Sequence, residues 1–133
     1  MKNQIFKITK EELMPIKKQL KKQKGTWIAE IDGKKISNWV DYSHEIERVF
    51  LFPTSCYKSV DVYLDWIRDL DWLNSEAFVL IIHNFSQFMS KEIELKNKII
   101  KLFVKYIFPW WESEVEECVV EGKAKPFIVY LVD

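Results

Sequence analysis

Glycine is scarce in this chain: 133 residues contain three glycines and four prolines. That supply is too small for a loop-rich scaffold. It also leaves no GxGxxG or GxxxxGK[ST] segment, so a phosphate-cradling backbone loop is excluded. Cysteine is equally sparse. Cys56 and Cys118 cannot build a disulfide framework, and their separation is not that of a zinc site, so both read as ordinary reduced thiols. His44 and His83 are the two histidines, and no GxSxG or Cys/His signature accompanies them. No apolar run approaches the ~18 residues of a membrane span. The first 24 residues are polar and lysine-rich, with neither an apolar core nor a small-residue cleavage site, so no secretory signal is read there. A soluble cytoplasmic protein is expected.

Apolar and aromatic side chains are abundant. Hydrophobic residues make up 48% of the chain and aromatic residues 15%, which excludes intrinsic disorder and suits one domain with a real core. Net charge is zero, from 20 basic and 20 acidic residues, but the two signs are separated. Residues 1–24 carry eight lysines and two glutamates, giving +6, so the remainder carries −6. Residues 37–76 hold eight acidic and three basic side chains, giving −5. The chain thus reads as a basic arm followed by an acidic middle.

Thr9 and Glu12 have the spacing of a capping box and predict a helix from Thr9 toward Lys24, with Leu13, Ile16 and Leu20 inward and Pro15 tolerated early. Residues 27–31 are a short β-rich run before an Asp32-Gly33 turn. Trp39, Tyr42, Ile46, Val49 and Phe50 recur at helical period, and Pro53 ends that helix. Ser59 is the expected N-cap of a helix from Val60 to about Leu70. Residues 78–82 are five consecutive apolar residues, the pattern of a strand buried on both faces. Residues 94–107 are helical, Pro109 begins a short helix through Cys118, and Phe127–Val132 is the last strand. Strands separated by helices imply parallel pairing. The expected architecture is α/β: a small three-stranded parallel sheet with about four helices over residues 25–133, and a basic N-terminal helical extension over residues 1–24.

Asp61, Asp65 and Asp69 recur every four residues, which on a helix stacks carboxylates on one face beside Val60, Tyr63, Leu64 and Ile67. Stacked like charges repel by a few tenths of a kcal/mol per pair on an isolated helix. Such a ridge is either a solvated face or a surface for a basic partner. Lys58 and Arg68 lie close by, so nothing predicts a raised carboxyl pKa suited to acid–base catalysis. His44 falls on a solvated helix face near Asp41 and Glu45. His83 falls at a strand C-terminus, where α/β sites form, but a hydrogen-bonded structural histidine accounts for it. The basic arm has one aromatic, Phe6, too little for a nucleic-acid footprint, so direct nucleic-acid binding is not expected. Trp110 and Trp111 cannot both face inward on one helix, so one of them belongs at an edge.

In element order and residue pattern the chain resembles the barstar family of intracellular ribonuclease inhibitors. The resemblance starts at Ile31-Asp32-Gly33 and runs through Ile36 and the helix ending Leu51-Phe52-Pro53. It continues through Val60-Asp61-Val62-Tyr63-Leu64-Asp65-Trp66-Ile67, then the strands at 78–82 and 127–132. It covers about residues 27–133. It implies that Asp65 and Asp61 face a nuclease, with Tyr57, Ser55, Leu64 and Asp69 beside them and Glu117 as a late acidic contact. The departures are local. Residues 54–58 lack the family's aromatic-and-glycine loop and add Lys58. Ser59 stands where the family has Asn, Leu64 where it often has Trp, and Trp66 follows Asp65. The resemblance implies an inhibitor or immunity protein that blocks a basic, secreted ribonuclease or toxin, with no cofactor, metal or small-molecule substrate. The alternatives are a binding module of the same fold for a non-nuclease target and, less favoured, a small enzyme using Asp61, Asp65 or His83.

Overall fold

The computed structural model describes residues 2–133. Four parallel strands form one sheet: β1 (Gln4–Ile8), β2 (Thr26–Asp32), β3 (Ala77–His83) and β4 (Phe127–Val132), in the order β1-β4-β3-β2. β2, β3 and β4 meet the sequence expectation; the fourth strand corrects it. β1 pairs with β4 from Gln4 opposite Ile128 to Ile8 opposite Val132. Its composition hides it. Phe6 and Lys7 stay exposed, and Ile5 and Ile8 are half-buried, so the usual apolar signal of a strand is weak. It is a short edge strand bearing a lysine, which discourages further pairing with other chains. The side chain of Asn3, 4% exposed, anchors it: Oδ1 accepts from Phe127 N–H at 2.9 Å and Nδ2 donates to Phe108 O at 3.3 Å.

Helix α1 (Lys10–Lys22) has the expected capping box: Thr9 Oγ1 accepts from Glu12 N–H at 3.1 Å and Glu12 Oε1 accepts from Thr9 N–H at 3.0 Å. Pro15 lies within the helix on an exposed side, where the carbonyl it leaves unpaired can meet water. α1 covers one face of the sheet, packing Leu13 with Val79, Ile81 and Val132. α2 (Trp39–Phe50), α3 (Val60–Ile67), α4 (Ile93–Leu102) and α5 (Val115–Cys118) cover the other. There Phe78, Leu80 and Ile82 of β3 join Tyr42, Ile46, Phe50, Tyr63 and Ile67 in the main core. The apolar run at 78–82 is therefore buried on both faces, as two covering layers require.

Pro109 does not begin a separate helix. Two π-helical stretches, Phe103–Ile107 and Trp110–Glu114, lie between α4 and α5, and Pro109 itself has helical φ and ψ of −60° and −35°. Helical backbone thus continues from Ile93 to Cys118, the wider π turns accommodating a residue that cannot donate to the ordinary ladder. Trp111 faces inward, 3% exposed, and its Nε1 donates to Ile67 O at 3.0 Å; Trp110 is partly exposed.

Candidate partner-binding face

Residues 51–59 connect α2 to α3 and are pinned at several points. Cys56 N–H donates to Glu47 Oε1 at 2.6 Å, Trp39 Nε1 to Tyr57 O at 2.9 Å, and Trp66 Nε1 to Thr54 Oγ1 at 2.9 Å. Cys56 is the loop's apolar anchor, 1% exposed. Burial, helped by the Glu47 carboxylate, pushes its thiol up to about 12, so it stays protonated and unreactive at neutral pH. Tyr57 is 38% exposed, its ring edge-on to His44 with centroids 6.1 Å apart. Lys58 Nζ sits 5.6 Å from the same ring centroid. Ser55 is exposed.

α3 turns Tyr63, Leu64 and Ile67 into the core and leaves Asp61 and Asp65 outside. Ser59 caps it, its side chain accepting from Val62 N–H at 3.4 Å. The inward side is fixed by two buried hydroxyls, Tyr42 and Tyr63, 2.8 Å apart. Burial raises both phenols, and for Tyr42 the neighbouring Tyr63 adds to it. Leu64 is 7% exposed and belongs to the core. Asp65 is 74% exposed, and its closest cation is Arg68 at 3.9 Å. Such a pair contributes little in water. Asp61 stands in the first turn of α3.

The third aspartate leaves the helix. α3 ends at Ile67, and the chain turns so that Leu70, at φ 52°, is buried at 1% exposure. Asp69 lies in that turn and accepts from Asp71 N–H at 3.2 Å. The face is thus two helical carboxylates, Asp61 and Asp65, beside a braced loop, with Asp69 and Asp71 trailing away. Glu117 is exposed on the short α5.

His83 is not part of this face. On the α1 side of the sheet Glu30 Oε1 accepts from Lys17 Nζ at 2.7 Å and from His83 Nε2 at 2.8 Å. A carboxylate only accepts, so Nε2 carries the proton. Asp61 and Asp65 lie on the helical layer opposite, so His83 and the two aspartates share no site. No cluster of metal-ligating side chains occurs among the described residues, and no helix among them is long and apolar enough to cross a membrane.

The surface of this small parallel α/β domain thus carries a braced loop beside a helix with two exposed carboxylates. The family model described as Barstar (barnase inhibitor) matches residues 27–131, and the chain belongs to that family. The match covers β3, all but the first residue of β2, all but the last residue of β4, and every α-helix but α1. No curated protein and no solved structure matches the chain.

Proposed function

We propose that this protein is a ribonuclease inhibitor acting as an immunity protein, which occupies the active site of a basic nuclease with residues 55–57 and the outer face of α3. The observation that carries the reading is the pairing of two unburied carboxylates, Asp61 and Asp65, with a family match that spans them. A nuclease site attracts phosphate and is therefore lined with cations. Carboxylates on a preformed helix enter it in place of phosphates and lose little entropy on binding. Asp65, at the middle of the face, is the main anchor and Asp61 the second. Tyr57 and Ser55 contact the cleft wall, Leu64 supports the helix from beneath, and Asp69 adds long-range attraction.

The test is inhibition of a purified barnase-type ribonuclease. Wild type should abolish activity near equimolar ratio, and Asp65→Ala should weaken binding by far more than tenfold, that is by more than about 1.4 kcal/mol. Asp69→Ala should change chiefly the association rate. Full nuclease activity under a large excess of wild type, for barnase-type enzymes and for the host's own ribonucleases alike, would sink the reading.

One observation favours a second reading, a target that is not a nuclease. Lys58 places a cation on the ring of Tyr57, at the point meant to enter a positive cleft. Lys58→Gln separates the two: it should speed association with a basic nuclease and slow association with a neutral or acidic target.

A further inference from the structure

A groove of about 900 Å³ opens beside the acidic face, with Asp65 on its rim. Its lining is drawn from residues 68–76 and 119–123, with Trp110 and Trp111. Its charged lining is unbalanced: Asp65, Asp69, Asp71, Glu76 and Glu121 against Arg68, Lys123 and Lys125, five acids to three bases, giving −2. Two of the cations are already engaged. Arg68 donates from Nε to Leu64 O at 3.1 Å and lies 5.5 Å from the ring centroid of Trp110. Lys125 Nζ donates to Ser75 O at 2.7 Å. Among the described residues Asp69, Asp71, Glu76 and Glu121 form no ion pair. The indole Nε1 of Trp110 is buried without an acceptor. The far lip is apolar and projects: Val119 is 45% and Val120 93% exposed.

Unmatched carboxylates facing an exposed valine pair fit a peptide segment bearing arginines with an apolar residue beside them. The guanidinium fork pairs with carboxylates bidentately, and the valines supply the dry edge that strengthens such pairs. We propose that this groove is a second docking site for the same protein partner, receiving an arginine-bearing surface loop while α3 fills the active site. The proposal rests on the reading above and extends it to specificity. Cationic active sites are common to enzymes that bind phosphate, whereas surface loops vary, so a contact outside the cleft selects one partner among several.

Two measurements test it. In the first, ¹⁵N-labelled protein is titrated at low salt with a blocked Gly-Arg-Gly-Arg peptide and with its Gln-for-Arg counterpart. The expected result is saturable shifts at the Trp110 indole, Asp71, Glu76 and residues 119–123, lost in an Asp71→Asn/Glu76→Gln double variant and absent with the neutral peptide. Shifts confined to α3, or unchanged in the double variant, overturn the proposal. In the second, a barnase-type ribonuclease inhibited by wild type should dissociate about tenfold faster from the double variant and from Val120→Ser; unchanged dissociation overturns it. If wild type fails to inhibit any nuclease, the reading of α3 falls, and the peptide titration alone decides on the groove.

Discussion

At the scale of single residues the fold depends on polar atoms placed where they cannot reach water. Tyr42 and Tyr63 are both 0% exposed and satisfy one another. Tyr63→Phe removes one hydroxyl and strands the other, so unfolding free energy should fall by about 1–3 kcal/mol in urea titration. The Glu30 cluster predicts a pH effect. Burial alone would raise the Glu30 carboxyl, but hydrogen bonds from Lys17 and His83, with their charges, carry it net below its usual 4.5. A lowered folded-state pKa contributes stability above the unfolded value and loses it as pH falls through the folded one. The Tm gap between wild type and Glu30→Gln should therefore be full at pH 7, begin to close near pH 4.5 and vanish in stronger acid. An unchanging gap from pH 7 to 3 would show that packing, not ionisation, makes the difference. None of these partnerships was legible in the sequence. Tyr42 and Tyr63 stand 21 positions apart, Glu30 and His83 53 apart, and period gives direction but not the partner. What the sequence did give was exposure: Asp61 and Asp65 fall outward because Tyr63, Leu64 and Ile67 fall inward.

At the scale of elements, strong local signals succeeded and weak ones failed. The capping box of α1, the Ser59 cap of α3 and the apolar run of β3 carry their chemistry within a few residues of chain, and all three stand as read. The end of α3 does not, because burial of Leu70 competes with helical continuation and wins, taking Asp69 off the carboxylate ridge. Pro109 misled for a related reason: π turns absorb it, and no residue pattern announces them. The Asp32-Gly33 turn was legible as a turn, but its tightness was not. A methyl group at Gly33 would lie 2.6 Å from Asn84 O and 2.8 Å from His83 O. Both are backbone atoms, and neither can swing aside. Gly33→Ala should therefore pull the β2 and β3 ends apart and lower Tm by several degrees, with amide exchange rising first at Asn84 and Ile36. A variant as stable as wild type would show that the 83–88 segment shifts freely.

At the scale of the whole molecule, the basic and acidic parts seen along the sequence become two sides of a sheet. α1 carries Lys18, Lys21 and Lys22 exposed on one layer, and α3 presents Asp61 and Asp65 on the other. A basic partner is thus repelled by one side and drawn to the other, which narrows the orientations of encounter. Replacing Lys18, Lys21 and Lys22 with Gln should speed association with such a partner a few-fold at low salt. The gain should vanish near 1 M salt, where the screening length is about 3 Å. Equal rates at low salt would mean that the lysines face away from the approach path. The charge division was legible in composition; its arrangement across the sheet was not, because β1 was hidden.

β1 has one further consequence, in time rather than in space. Asn3 and Phe127, joined by a hydrogen bond, are 124 positions apart. At about 5–20 residues per second of synthesis, the first strand waits roughly 6–25 s for the neighbour that completes the sheet. During that interval its unpaired backbone is open to chaperones and to other nascent chains. β4 closes the sheet, so β1 gains its neighbour only after the residues between them have been made.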